Sequence, residues 1–211
     1  MSDLKSVICY NGGAGGDFLK ALCLTQFSNQ SFFMVNTGMI EFRQHYFKIQ
    51  CEQCYKNTLN WTAINQLKIE PVDNTHYYFD WFHNIFSKIY YIDYPDHITD
   101  VIINTYINKR YQDNKEEFIE GSLSKIPEGL QKMIPRSNAL AAIGKTWIRN
   151  QQIWRNNPNM HAINLIDVFN LTKIKTIASE IIQKDLVDIE CFEQLYSAWT
   201  EKNQHLLQAH L

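Results

Sequence analysis

The segment that most constrains the fold is a glycine-rich stretch near the N-terminus, which lies between an apolar run and a helical pattern. Ser6–Tyr10 is mostly apolar, four of the five residues in Gly12–Gly16 are glycines, and Phe18, Leu19 and Leu22 repeat at helical spacing. This order predicts a strand, a tight loop and a helix. Because glycines let backbone N–H groups converge and a helix start adds unpaired donors, such a loop suits a phosphate or sulfate group. The alternative is a glycine-rich turn that binds no ligand.

The loop departs from two common nucleotide-binding motifs. A Walker A loop ends in Gly-Lys-Ser/Thr, whereas Gly16 is followed here by Asp17 and Phe18. The dinucleotide fingerprint would place its third glycine at Leu19. The sequence therefore predicts neither an ordinary kinase or NTPase nor a dinucleotide-dependent enzyme.

Length and charge narrow the class of protein further. A chain of 211 residues can build one substantial core, so we expect a single domain over residues 1–211. The formal net charge of −2 gives no general electrostatic reason to expect nucleic acid as a partner. No apolar run approaches the roughly 18 residues of a membrane span, and polar Met1–Lys5 leads straight into the first predicted strand. These features predict a cytoplasmic protein without a membrane span.

The cysteines do not form a recognisable framework. Their number, five, is odd, which favours reduced thiols. Cys51 and Cys54 have the spacing of a zinc or redox pair, but no second Cys/His pair at matching spacing follows, and His45 alone is near. We therefore expect no metal site.

Strand and helix patterns alternate along the chain, which predicts a three-layer α/β fold with a mainly parallel central sheet. Residues 112–136, rich in charges, glycine and proline, are predicted to be an irregular excursion or lid. The predicted strands are 6–10, 32–35, 74–77, 88–92 and 161–165, and the predicted helices are 17–27, 58–67, 80–86, 95–111, 137–156, 171–183 and 189–208.

Four segments, in this order, resemble the P-loop-like sulfotransferase superfamily, in particular its small bacterial and phage-type members. They are Tyr10–Leu19 as the phosphosulfate loop, Thr75-His76 at a strand end, Tyr91–Val101 as strand, proline turn and helix, and His161–Phe169 followed by closing helices that include Tyr196–Asn203. The resemblance implies a P-loop-like fold and sulfonate transfer from 3′-phosphoadenosine-5′-phosphosulfate (PAPS) to a hydroxyl of a sugar or small metabolite.

The resemblance also implies roles for individual residues. His76 would be the general base, and Lys20, or a lysine or arginine of the segment Lys115–Arg136, would neutralise the leaving group. The 5′-phosphosulfate would be held by the loop residues Gly12, Gly13, Ala14, Gly15, Gly16, Asp17 and Phe18.

Three positions differ from the pattern of the family and keep other functions open. Asp17 stands where the family has a hydroxyl residue, Asp93 where it has the arginine that binds the 3′-phosphate, and Val101 where it has a serine. One alternative is a catalytically inactive relative that binds a protein partner or a second copy of itself. Another is a nucleotide- or phosphate-binding enzyme of different chemistry, in which Asp17 works with a metal.

Overall fold

The computed structural model describes residues 5–27, 32–42, 46–55, 70–126 and 128–211. The strands are β1 Ser6–Cys9, β2 Phe32–Met34, β3 Ile40–Phe42, β4 Val72–Thr75, β5 Lys88–Asp93 and β6 Met160–Asn164. The helices are α1 Gly16–Leu24, α2 Tyr46–Tyr55, α3 Thr99–Tyr111, α4 Lys115–Leu123, α5 Glu128–Gln131, α6 Ala139–Arg155, α7 Leu171–Ile182 and α8 Ile189–His210. Short 3₁₀ turns cover Asp80–Asn84, Asp96–Ile98, Arg136–Asn138 and Leu165–Phe169.

Four strands form one parallel sheet in the order β4-β1-β5-β6. Ser6 of β1 is in register with Val72 of β4 on one side and with Lys88 of β5 on the other. The α/β class and the mainly parallel sheet are therefore confirmed. Because the chain passes from β4 to β5 across β1, the strand order changes direction at β1, and parallel sheets open a crevice at the carboxyl ends of the strands there.

Side chains of β1 alternate between two hydrophobic clusters, as a sheet covered on both faces requires. Ile8 and Tyr10 pack in a cluster with α1, α7 and α8. Val7 and Cys9 pack on the opposite face, in a cluster that includes Phe47 of α2, the turn at Asp80–Asn84 and Trp154 of α6. The sheet is thus the middle of three layers.

The strand predicted at 32–35 is β2, but it pairs with β3 in a separate antiparallel hairpin. Phe32 lies opposite Phe42, and Ile40 and Phe42 are buried against the cluster of α1. The strand β3 was not predicted from the sequence. Its three residues, with Glu41 between two apolar side chains, are too few for a periodic signal.

Residues 112–136 are not irregular, because they include α4 and the short α5. Asn114 caps α4 by accepting a hydrogen bond from the backbone N–H of Glu117. Phe118 and Ile119 of α4 are buried in a third cluster with side chains of α3 and α6. The segment is thus anchored by one apolar helical turn.

Other differences concern boundaries. β4 spans Val72–Thr75 where 74–77 was predicted, and a 3₁₀ turn replaces most of the helix predicted at 80–86. The helix predicted at 58–67 lies outside the described residues. Among the helices that the structure describes, none combines the length and apolar character needed to span a membrane.

Candidate functional site

The loop between β1 and α1 is closely surrounded by other side chains. A Cβ atom on Gly13 would lie 2.5 Å from the carbonyl oxygen of Ile102, and one on Gly16 would lie 2.2 Å from the ring of Tyr10. Gly13 also has a φ of 84°, in the left-handed region that favours glycine. At Gly12 and Gly15 a Cβ would meet the rings of Tyr106 at 3.0 Å and Trp199 at 3.2 Å. Packing therefore accounts for Gly13 and Gly16, and a left-handed φ of 85° accounts for Gly15.

Two predicted ligand-binding residues of the loop belong to the core. Ala14 is fully buried, and Phe18 is buried and stacks on Trp199 with ring centroids 4.0 Å apart and planes 2° from parallel. Their side chains thus stabilise the start of α1 against α8. The first backbone N–H groups of α1 lack partners within the helix, as at every helix start, and are what the loop offers to an anion.

Asp17 lies in a compact polar network. Its Oδ1 accepts a hydrogen bond of 2.8 Å from Nδ2 of Asn74 and lies 3.4 Å from Nζ of Lys48. Nζ of Lys48 in turn donates to the hydroxyl of Tyr10 at 2.6 Å. Burial alone would raise the pKa of Asp17, but the charge of Lys48, that of His76 and two hydrogen bonds lower this pKa to about 2. The carboxylate of Asp17 is therefore negatively charged beside the loop, and the ammonium of Lys48 balances this charge.

Lys20 lies away from the crevice. Its Nζ is 2.9 Å from Oδ1 of Asp73 and 2.5 Å from Oε2 of Glu70, and the residue is 1% exposed. Burial alone would lower the pKa of Lys20, but the two carboxylates raise it above its usual value. The ammonium holds α1 against β4, so this position does not support the predicted role in neutralising a leaving group.

His76 follows β4 and lies beside the loop. Its Nδ1 is 2.9 Å from the carbonyl oxygen of Tyr10, and a carbonyl can only accept, so Nδ1 carries the proton and Nε2 keeps a lone pair. Burial, and after it the charge of Lys48, lowers the pKa of His76 to about 3. The imidazole is thus neutral at physiological pH.

A cavity opens next to His76 at the carboxyl end of β1 and encloses about 830 Å³, its open mouth included. Its walls come from the ends of β1 and β4, from α3 and α6, and from α4 with the residues after it. They are Asn11, Gly12, His76, Tyr77, Tyr106, Tyr111, Phe118, Ser122, Lys125, Ile126, Ile143, Thr146, Trp147 and Asn150.

The cavity brings together some predicted site residues and not others. His76 and Gly12 line it, whereas Gly13–Phe18 and Lys20 do not. Sequence reasoning missed the aromatic wall, including Tyr106 and Trp147, because these residues come from helices far apart along the chain. Their apolar spacing indicated only helices with a buried face.

The side chain of Asn11 fixes one wall of the cavity. Its Nδ2 donates to the hydroxyl of Tyr94 at 2.7 Å and to the carbonyl oxygen of Trp147 at 3.2 Å. These bonds tie the end of β1 to the turn after β5 and to α6. The cavity therefore has a rigid edge where the glycine loop begins.

The turn after β5, which the resemblance assigns to the 3′-phosphate of PAPS, holds an internal ion cluster. Arg155 of α6 places Nε 2.8 Å from Oδ1 of Asp93 and Nη1 2.9 Å from Oδ1 of Asp96, and it also bonds the carbonyl oxygen of Tyr94. One guanidinium between two carboxylates leaves a net negative charge. These residues do not fit a 3′-phosphate.

The described residues contain no group of three or more His, Cys, Asp and Glu side chains that could hold a metal ion. Cys51 is buried, while His45 and the side chain of Cys54 lie outside the described part of the chain. Asp17 has amide and ammonium partners, which leaves its proposed work with a metal without support from the geometry.

No family model, no curated protein and no solved structure matches this chain.

Proposed function

We propose that the protein is a sulfotransferase-like enzyme that transfers an anionic group, sulfonate being the first to test, to a hydroxyl of a small molecule bound in the cavity. The observation that carries this proposal is the state of His76. It lines the cavity beside the glycine loop, and its Nδ1–H bond to the Tyr10 carbonyl leaves Nε2 as a proton acceptor.

In this proposal His76 orients the acceptor hydroxyl and takes its proton on Nε2 while the hydroxyl oxygen bonds to the sulfur of the donor. The bond from that sulfur to the donor's bridging oxygen breaks, and the remainder of the donor leaves as an anion. A pKa of about 3 makes the imidazole of His76 a weak base when no anion lies beside it. An anion beside the ring would raise the pKa of His76, because it would oppose the effect of Lys48. Arrival of an anionic ligand would therefore strengthen the base.

The donor would bind at the start of α1. The start of α1 offers backbone N–H groups to an anion, and Lys48 balances the charge of Asp17 there. The cluster of Arg155, Asp93 and Asp96 does not fit the 3′-phosphate of PAPS. If a nucleotide donor binds, we expect its 3′-phosphate to contribute little.

The test is a transfer assay with radiolabelled PAPS and a panel of hydroxyl compounds. We expect transfer by the parent protein and a loss of about 100-fold or more in His76→Gln, which keeps a donor for the Tyr10 carbonyl but lacks the imidazole base. His83→Gln is the matched control, since His83 is an exposed histidine that bonds Tyr78 and does not line the cavity. Equal activity in His76→Gln would refute the role of His76.

The donor itself is tested by replacing PAPS with adenosine 5′-phosphosulfate, which lacks the 3′-phosphate. We expect less than tenfold difference in kcat/KM, equivalent to less than about 1.4 kcal/mol. A preference of several hundredfold for PAPS would show that Arg155 or another cation binds the 3′-phosphate.

A catalytically inactive relative that works through protein binding is the second candidate. The clashes that a Cβ would make at Gly13 and Gly16 favour it, because these two positions require glycine without any ligand. If calorimetric titration with 3′-phosphoadenosine-5′-phosphate gave no heat at millimolar nucleotide and no acceptor were sulfonated, this candidate would replace the first.

A further inference from the structure

His76 presents a hydrogen-bond acceptor, and no charge, to the cavity. Its Nδ1–H is donated to the carbonyl oxygen of Tyr10, and Tyr10 does not line the cavity, so Nε2 with its lone pair is the ring nitrogen left for a ligand. Among the hydrogen bonds of the described residues, none reaches Nε2. Burial, and after it the charge of Lys48, lowers the pKa of His76 to about 3 and keeps the ring neutral. A ligand recognised at Nε2 must therefore donate an N–H or O–H to it.

Several other polar side chains of the cavity wall are already bonded to the protein. Nδ2 of Asn11 makes two bonds to protein groups, and its Oδ1 accepts a bond of 3.4 Å from Nδ2 of Asn150. The hydroxyl of Thr146 donates to the carbonyl oxygen of Ala142 at 2.9 Å. A sugar, which carries many hydroxyl groups, would leave some of them unpaired against this wall, and unpaired polar groups weaken binding.

The apolar part of the cavity is a ring wall formed by Tyr106 of α3, Phe118 of α4 and Trp147 of α6. The rings pack edge to face, with centroids 5.7 Å apart for Tyr106 and Phe118 and 6.3 Å apart for Tyr106 and Trp147. Ile126 and Ile143 extend this surface, and the lining residues that the structure describes include no carboxylate to pair with a ligand cation. Flat aromatic groups pack well against rings in this arrangement.

We propose that the cavity selects an uncharged, flat aromatic ligand that carries a hydrogen-bond donor, either a ring N–H or a hydroxyl, and that it excludes sugars. The donor bonds Nε2 of His76 while the ring of the ligand packs against the ring wall. The inference rests on the proposed function in one respect, since an aromatic alcohol bound in this way would be the acceptor. Binding itself needs no PAPS and no transfer, so it can be measured alone.

The first test compares indole with 1-methylindole, and 2-naphthol with 2-methoxynaphthalene, by calorimetric titration of the parent protein near neutral pH. All four compounds are uncharged there, and the second of each pair lacks the donor. We expect each donor to bind at least about tenfold more tightly than its methylated partner, equivalent to at least about 1.4 kcal/mol. 3-Methylindole is the control for the added methyl group, because it keeps the ring N–H, and it should bind within about threefold of indole.

The two pairs also distinguish the two kinds of donor. A preference in the naphthol pair alone would assign the donor as a hydroxyl, and a preference in the indole pair alone would assign it as a ring N–H. Either result supports the inference. Equal binding within both pairs, or no saturable binding of any of the four compounds, would overturn it.

His76→Phe tests whether Nε2 is the acceptor. In this variant indole should fall to the affinity of 1-methylindole, because neither can then donate at that position. The affinity of 1-methylindole should change less than about threefold, which shows that the ring wall is intact. His83→Phe is the matched control, since His83 is exposed and does not line the cavity, and it should leave the preference for indole unchanged. A preference that persists in His76→Phe would overturn the role of Nε2.

A measurement on the parent protein makes the test independent of how His76→Phe folds. In ¹⁵N NMR spectra, the unprotonated Nε2 of His76 should shift upfield when indole binds, because accepting a hydrogen bond shields a ring nitrogen that carries a lone pair. 1-Methylindole should cause no such shift. If indole bound without shifting Nε2, its donor would lie elsewhere, and the inference would be overturned.

A methyl hexopyranoside tests the exclusion of sugars. We expect no saturable binding at millimolar sugar, and a sugar that bound more tightly than indole would overturn the inference. If the donor preference and the effect of His76→Phe held but no hydroxyl compound were sulfonated, only the proposed function would fail. If a sugar were sulfonated and none of the aromatic compounds bound, only this inference would fail.

Discussion

Replacing Gly16 by alanine tests whether the glycine loop is held by packing. Gly16 opens α1, where alanine would be the better helix former by about 1 kcal/mol, yet its Cβ would lie 2.2 Å from Cγ of the Tyr10 ring. Tyr10 is 1% exposed and its hydroxyl is bonded to Lys48, so the ring cannot withdraw freely. Overpacking of this kind costs about 1–3 kcal/mol, and we expect the upper part of that range.

Gly144→Ala is the matched control, because it makes the same change inside α6, where the nearest atom would be Cδ1 of Ile103 at 3.6 Å. That is an ordinary contact, so this variant should gain about 1 kcal/mol from helix propensity. Urea unfolding should therefore move the two variants in opposite directions, with unchanged slopes. If the free energy of unfolding of Gly16→Ala lay within about 0.5 kcal/mol of the parent value, Tyr10 would not pack against Gly16. Ligand binding would then be the better explanation of this glycine.

Three further predictions concern the surroundings of the site. Lys20→Met should destabilise the fold by about 3–5 kcal/mol in urea unfolding, because it leaves the buried carboxylate of Asp73 without its cation, and a loss below about 1 kcal/mol would contradict the buried pair. As the pH falls below about 6.5, His76 alone should lower the free energy of unfolding by up to about 1.4 kcal/mol per pH unit, because it stays neutral in the fold down to a pKa of about 3 while the unfolded chain takes up the proton. His76→Gln should make this part of the curve less steep, and an unchanged curve would show that His76 titrates normally. Trp199→Ala should cost about 3–5 kcal/mol, measured in the same way, because it removes the ring stacked on Phe18, and a near-neutral effect would refute that packing.

Two strands of the parallel sheet, β1 and β5, were predictable because each is a short, mostly apolar run. The run at 88–92 is β5, and the run at 161–165 is β6 shifted by one residue. By contrast, β4 contains Asp73 and Asn74, whose polar side chains are buried because they bond to side chains elsewhere in the fold. Asp73, for example, accepts a hydrogen bond from Lys20. Such compensation cannot be read from local sequence.

The candidate site was predictable only in part, for a similar reason. His76 could be singled out in the sequence because it lies at the end of a strand, and in the structure it lines the cavity. Lys20 also lies close to the loop in the sequence, but in the fold its long side chain reaches Asp73 and Glu70 instead of the cavity. The ring wall depends on how α3, α4 and α6 pack together, which no spacing within one helix specifies.

The place of β1 in the sheet sets a condition on how the chain can fold during synthesis. β1 is made before both of its neighbours in the sheet. The backbone groups of Ser6 can pair only after Val72 and then Lys88 have been made. Contacts of such long sequence separation slow folding and expose unpaired strands meanwhile. Nascent chains released before β5 is complete should therefore remain protease-sensitive and prone to aggregate, with α1 already made but without the sheet on which it packs.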